Sequence, residues 1–402
     1  IKIASSRENR KVLLIVAERQ NIWEQKCGAL TQLDGCKAIR IPNITESDAP
    51  AILDKLEEFG SWSRLKKMSL RNRKLEIYKR SKKQLLIGLL EATHGAGFGE
   101  IIRREFTAIE EPKDKLALLI IGLATIHRTH LTEDLLLRAL EHAKIRSHFS
   151  NIRSSLAGII HEKDERYVAR HPVYIRHLFE KIAEPKMIAE AVRSLLYAFT
   201  VYSAPVILAV RPHAGHLFKA TLNHRFLIGI LGRDRGMVVD IFKQFEKYFE
   251  ADGHYWLQYG LALRNFQEHV PALEKLKTAF STYENPYTEH ALAQQELILA
   301  ESAESRAIAN AYIADAKPRL ERLDNLQDLS DFYPIVTLAE YLVKIERKHG
   351  SEGSARALSK EYANAIESRR IKQAPDSRLD TAWRRLLRYS STGRWTHSAS
   401  DL

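Results

Sequence analysis

The sequence predicts a mostly α protein: a short remnant of a parallel α/β domain, then packed helical units, then a long array of helical repeats. Three observations lead there. Of 402 residues, 45% are hydrophobic and 28% charged, with only 12 Pro and 18 Gly. That balance suits a globular chain of helix formers better than a sandwich, a barrel or a disordered polymer. Apolar residues recur at helical spacing through most of the chain after Gly60. Lastly, Trp256-x2-Tyr259-Gly260-x2-Leu263, followed by Ala272, Leu276 and Ala279, places small residues where two helices of one repeat cross.

Taken in order, Lys11–Ala17 (KVLLIVA) is a continuous aliphatic and β-branched run, the pattern of a strand buried on both faces of a parallel sheet. A second short strand is expected at Lys37–Ile41. Thr45-Glu-Ser-Asp48 has the form of a capping box. Ile52, Leu53, Leu56 and Phe59 then share a helical face that Gly60 stops. Two strands do not make a parallel sheet. With Ile1 in place of an initiating methionine, the missing strands are expected upstream. This segment, 1–60, is the first of four expected domains.

Residues 61–112 form the second, a helical segment. Its apolar stripe is Leu75, Tyr78, Leu85, Leu86, Leu89 and Leu90. Gly95-x-Gly97-x-Gly99 breaks it as a plain loop, and a further helix spans about Glu100–Ile109 before Pro112. In the third, 113–186, helices are expected at Leu116–His127, Thr132–His142 (with Thr132 as N-cap) and Phe149–Leu156. Two short strands follow, at 158–161 and 166–170, around a charged turn, and Pro172 opens another helix. Three helices followed by a two-stranded wing is the order of a winged-helix domain. The fourth, 187–402, reads as a TPR-like solenoid that ends in a helix at Arg378–Tyr389.

Composition narrows the function classes. The two cysteines, Cys27 and Cys36, cannot build a disulfide framework, and no Cys/His pattern points to zinc. His213 and His216, within PHAGH, share one side of a turn but lack a third metal ligand. No apolar run approaches the length of a membrane span, so the expectation is a cytoplasmic protein without a membrane partner. The net charge is +12, and the stretch from Arg64 to Lys83 holds ten Lys/Arg against the single acid Glu76. Nucleic acid is therefore a possible partner through that run. Tyr248, Phe249, Tyr255, Trp256, Tyr259, Phe266 and Phe280 crowd together as repeat core or as an aromatic recognition surface.

The segment Leu13–Asn21, LLIVAERQN, resembles the strand of STAND-type NTPases that ends in an arginine facing the nucleotide. The later order of elements is similar to that family as well: strand, helix, helical segment, winged helix, repeats. The resemblance implies that Arg19, at the carboxyl end of the strand, reaches a γ-phosphate. It also implies that His171, in Arg170-His171-Pro172, contacts the β-phosphate and holds an ADP-bound closed state. The family's usual Met and Asp beside that histidine are replaced by Arg170 and Pro172, closer to the bacterial antiviral branch. The implied function is the regulatory and sensor half of a switch. In it the repeats recognise a protein ligand, ADP gives way to ATP with Mg, and homo-oligomerisation activates an upstream effector.

No G-x-x-x-x-G-K-[ST] occurs in this chain, so ATPase activity is expected only as part of a longer protein. The alternative reading is a winged-helix and TPR regulator that binds DNA, or a scaffold, without nucleotide chemistry.

Overall fold

The computed structural model describes residues 45, 47–58, 69–75, 96–145, 149–163, 165–326, 334–372 and 377–395. The strands expected at 11–17 and 37–41, Arg19, and all of the basic run except 69–75 lie outside the described residues. Nineteen helices and three short strands make the described chain mostly helical. It divides into two compact units, residues 1–100 and 101–402.

In the first unit, helix α1 is Asp48–Glu58 and α2 is Leu70–Leu75. The Thr45 backbone N–H and hydroxyl both donate to Asp48 Oδ2, at 2.7 and 2.6 Å. These bonds favour the carboxylate and hold its pKa below the usual value. Ala49 and Leu53 form the buried stripe of α1.

Helix α3, Ala96–Thr107, corrects one expectation: Gly97 and Gly99 are helical rather than part of a loop. Glycine weakens a helix interior by about 1 kcal/mol relative to alanine. Here both lie in the first turn, and Ile102 and Phe106 anchor the helix by burial.

In the second unit, α4 (Pro112–Ile126) starts on its proline and is buried from Ala117 to Thr125. Strand β1 (Leu131–Thr132), α5 (Glu133–His142), α6 (Phe149–Ser155), β2 (Ile160–Lys163), β3 (Arg166–Ala169) and α7 (Pro172–Lys181) follow. The sheet is antiparallel in the order β1-β3-β2, with Leu131 opposite Tyr167 and Ile160 opposite Ala169. Thr132 precedes α5 as expected, but its side chain makes no capping bond; its backbone belongs to β1. Thr125 ties the sheet to α4: its hydroxyl donates to Ile121 O at 3.1 Å and accepts from the Ala169 N–H at 2.7 Å. Gly122 lets α7 approach, since a Cβ there would sit 3.1 Å from both Ile175 and Phe179.

Helices α8 (Pro185–Ala198), α9 (Val206–Ala209), α10 (Pro212–Leu222), α11 (His224–Ile230) and α12 (Arg235–Phe245) lead into three hairpins. These are α13 (Gly253–Asn265) with α14 (His269–Thr282), α15 (Pro286–Ser302) with α16 (Arg306–Asp324), and α17 (Pro334–His349) with α18 (Glu352–Lys372); α19 (Ser377–Thr392) packs on α18. The first helices, α13, α15 and α17, lie side by side. The caps are local. Asp252 accepts from Tyr255 N–H at 3.0 Å, and Asn285 forms a capping box with Thr288. Gly260 explains the spacing read from the sequence: a Cβ there would lie 2.6 Å from Leu276 Cγ and 3.3 Å from Ala272 O.

Candidate functional site

His171 occupies the N-cap of α7, in extended backbone, and its Nδ1 accepts from the Val173 N–H at 3.1 Å. With Nδ1 as acceptor, the proton of the neutral ring sits on Nε2, which is then a donor. Its neighbour Arg170 is bonded to Glu105 of α3 and lies over the Tyr174 ring, 4.8 Å from the centroid. Both partners orient the turn between β3 and α7. Arg19 is outside the described residues, so the pair expected from sequence is represented by His171 alone.

The PHAGH histidines lie on α10 and pack against the segment after α4. The His213 ring stacks on His130 at 4.4 Å, and His216 Nε2 is 3.4 Å from His127 O. Among the described residues no group of three or more His, Cys, Asp or Glu side chains could hold a metal. Burial holds the pKa of His130 and His213 below the ordinary histidine value.

Four of the seven crowded aromatics are interior, whereas Tyr248 is exposed and Phe266 and Phe280 are half-buried. Phe249, Tyr255, Trp256 and Tyr259 are buried and pack ring on ring. Of the two roles open for the group, these four serve as helix-packing core.

A polar cluster between the first helices of the hairpins lies where sequence reading placed nothing. Arg264, at the end of α13, reaches α15: Nε donates to Gln295 Oε1 at 2.8 Å, Nη1 to Gln294 Oε1 at 2.6 Å, and Nη2 to Ala291 O. Gln295 is itself fixed by donating to His269 O at 3.0 Å. One turn away on α15, His290 Nε2 is 3.1 Å from Thr337 Oγ1 of α17.

Arg264, His290, Gln294 and Tyr341 all keep partial solvent access. Even so, burial pushes Arg264 down to about 10 and His290 down to about 4. Arg264 and His290 are thus largely desolvated and keep only an edge in contact with water. The sequence signal was faint. A lone arginine in the last turn of a helix reads as a partner of the helix dipole, and its acceptors lie about thirty residues further on. Compared with known proteins, the chain matches no family model, and neither a curated protein nor a solved structure is similar to it.

Proposed function

We propose that this chain is the regulatory and sensor part of a STAND-type nucleotide switch acting in cytoplasmic antiviral defence. The module from α4 to α7 is read as its winged helix and the hairpins from α13 onward as its TPR-like sensor. A protein ligand held on the repeats favours exchange of ADP for ATP with Mg, homo-oligomerisation, and activation of an upstream effector. The observation that carries the reading is the setting of His171. It stands at the N-terminus of a ten-residue helix opened by Pro172, with Nε2 as its donor nitrogen. A donor beside the positive end of a helix suits a phosphate oxygen. Arg170, neutralised by Glu105, braces the turn rather than competing for that anion. Arg19 would supply the γ-phosphate contact.

The test uses the full-length protein. His171→Ala removes both the donor and the cap, whereas His171→Asp keeps a capping oxygen but repels phosphate. Both variants are expected to show effector activity without ligand and weaker ADP binding. A contact present in one conformer shifts the population by at most its own differential energy, about 1.5–3 kcal/mol for a charge-assisted bond. Ligand-free activity at the wild-type level in both variants, with ADP affinity unchanged, would overturn the assignment.

A further inference from the structure

Arg264 stands apart from the other arginines that bridge the repeats. Arg306, Arg319, Arg322 and Arg369 each meet a carboxylate across a helix pair. Arg264 instead meets two amide oxygens and a backbone carbonyl, all neutral. A guanidinium carries five N–H donors in a planar fork. Three are used, and two have no acceptor among the described residues. The acids on the neighbouring helices are engaged elsewhere: Glu340 with Arg385, and Glu301 at 3.7 Å from Lys344. A desolvated cation without a counter-ion is unfavourable by several kcal/mol, and an incoming anion would relieve that.

The geometry points to Arg264, with Gln294 and Tyr341 beside it, as a binding site for a single carboxylate presented by an acidic peptide segment of a partner protein. This rests on reading the repeats as a protein sensor and names the chemistry they would recognise. A carboxylate matches the site in charge and in its number of acceptor oxygens. Arg264 is the one cation there without a carboxylate, since Lys344, 5.0 Å from the Tyr341 ring centroid, pairs with Glu301 and His290 is held neutral at physiological pH by burial and by Arg264, and two donors remain for two oxygens. The Gln294 amide, which also donates to the Tyr341 oxygen, has a second N–H at the edge. A phosphate dianion would find only half of its charge answered. The overall +12 of the chain would draw an acidic partner toward it.

The experiment titrates the full chain with the blocked peptide acetyl-Gly-Glu-Gly-amide, its Gln counterpart, and inorganic phosphate. Binding is followed on the arginine Nε–H resonances of isotope-labelled protein. The Glu peptide is expected to move one arginine resonance saturably and the Gln peptide to leave it in place. That resonance should vanish in Arg264→Gln, with Glu-peptide binding at least tenfold weaker, and Arg264→Lys should recover part of it.

Equal responses to the two peptides, or phosphate binding more tightly than the Glu peptide, would overturn the proposal. The comparison of peptides on the wild-type chain needs no variant, so a folding defect in Arg264→Gln does not blur it. Peptide binding in a chain whose repeats are not the sensor would sink only the parent reading. A partner protein bound equally well by wild type and Arg264→Gln would sink only the carboxylate site.

Discussion

Trp256 carries the repeat signal of the sequence, and its surroundings explain why. The indole is 7% exposed. Its Nε1 donates to Glu250 O at 2.7 Å, and the Lys275 ammonium sits 4.8 Å from its ring centroid. It therefore anchors the hairpin α13/α14 and does not serve as a contact for ligands. Trp256→Ala is expected to lower stability by about 3–5 kcal/mol, through lost burial and the cavity left behind. Trp256→Phe should lower it less, since it fills part of the space but leaves the Glu250 carbonyl without its donor, at about 1–3 kcal/mol. Denaturant melts of the two variants check the order. A Trp256→Ala midpoint within error of wild type would place the indole outside the core.

Residues such as Trp256 and His171 were legible because their neighbours in sequence set their environment: the i+3 and i+4 partners for the indole, Pro172 for the histidine. Arg264 was not, because its environment is assembled from α15 and α17 and leaves no local pattern.

Between elements, small residues decide how closely helices cross. Gly260 and Ala272 let α13 and α14 pack backbone against side chain, and Gly253 plays the same part near Tyr283, where a Cβ would lie 2.5 Å from Tyr283 Cβ. A valine at 260 would force its branches into Leu276 and the Ala272 carbonyl. Gly260→Val is expected to destabilise by about 1–3 kcal/mol from overpacking, although glycine is the poorer helix former. A melting temperature equal to or above wild type would show that the crossing has room to spare.

The same hairpins carry buried carboxylates on α15. Glu289 and Glu296 are 3% and 1% exposed, and Arg322 and Arg319 of α16 reach them. The sequence disclosed the hairpins because their period spans many residues. It disclosed strands β2 and β3 because alternation brackets a charged turn. It did not disclose β1, whose two residues are too few for a period and whose partner, β3, lies about 35 residues away, Leu131 facing Tyr167 and Thr132 facing Arg166. Nor did it place the start of α3, where burial of Ile102 and Phe106 overrides two glycines.

At the scale of the second unit, seven buried or half-buried histidines favour the neutral form. Burial is the leading cause of a lowered pKa at His127, His130, His142, His213, His224, His254 and His290. At His127 burial, then His216 and Arg176, push the value from 6.5 down to about 4. At His290 burial and then Arg264 do the same. In the unfolded chain these rings take up protons near their ordinary value, while the folded chain resists until lower pH, about 4 at His127 and His290. Folding stability is therefore complete above about pH 6.5 and is lost as the pH falls toward 4. The gap between 6.5 and about 4, at about 1.4 kcal/mol for each pH unit, amounts to about 3 kcal/mol for His127 and for His290.

Two carboxylates with lowered pKa, Glu268 and Glu346, add to the loss only below their ordinary value of 4.5. Glu296, raised by burial, works in the opposite direction, since the folded chain gains from protonating it as the pH drops. One such acid does not offset seven rings. Thermal melts between pH 7.5 and 4.5 should show the midpoint falling steadily from about pH 6.5 downward. His127→Asn should flatten that fall while lowering the plateau above it, because the ring packs on Phe226 at 4.3 Å. A melting temperature that stays level from pH 7 to pH 5 would mean that the rings gain protons without opening the fold, and the account of a neutral, desolvated histidine set would be wrong.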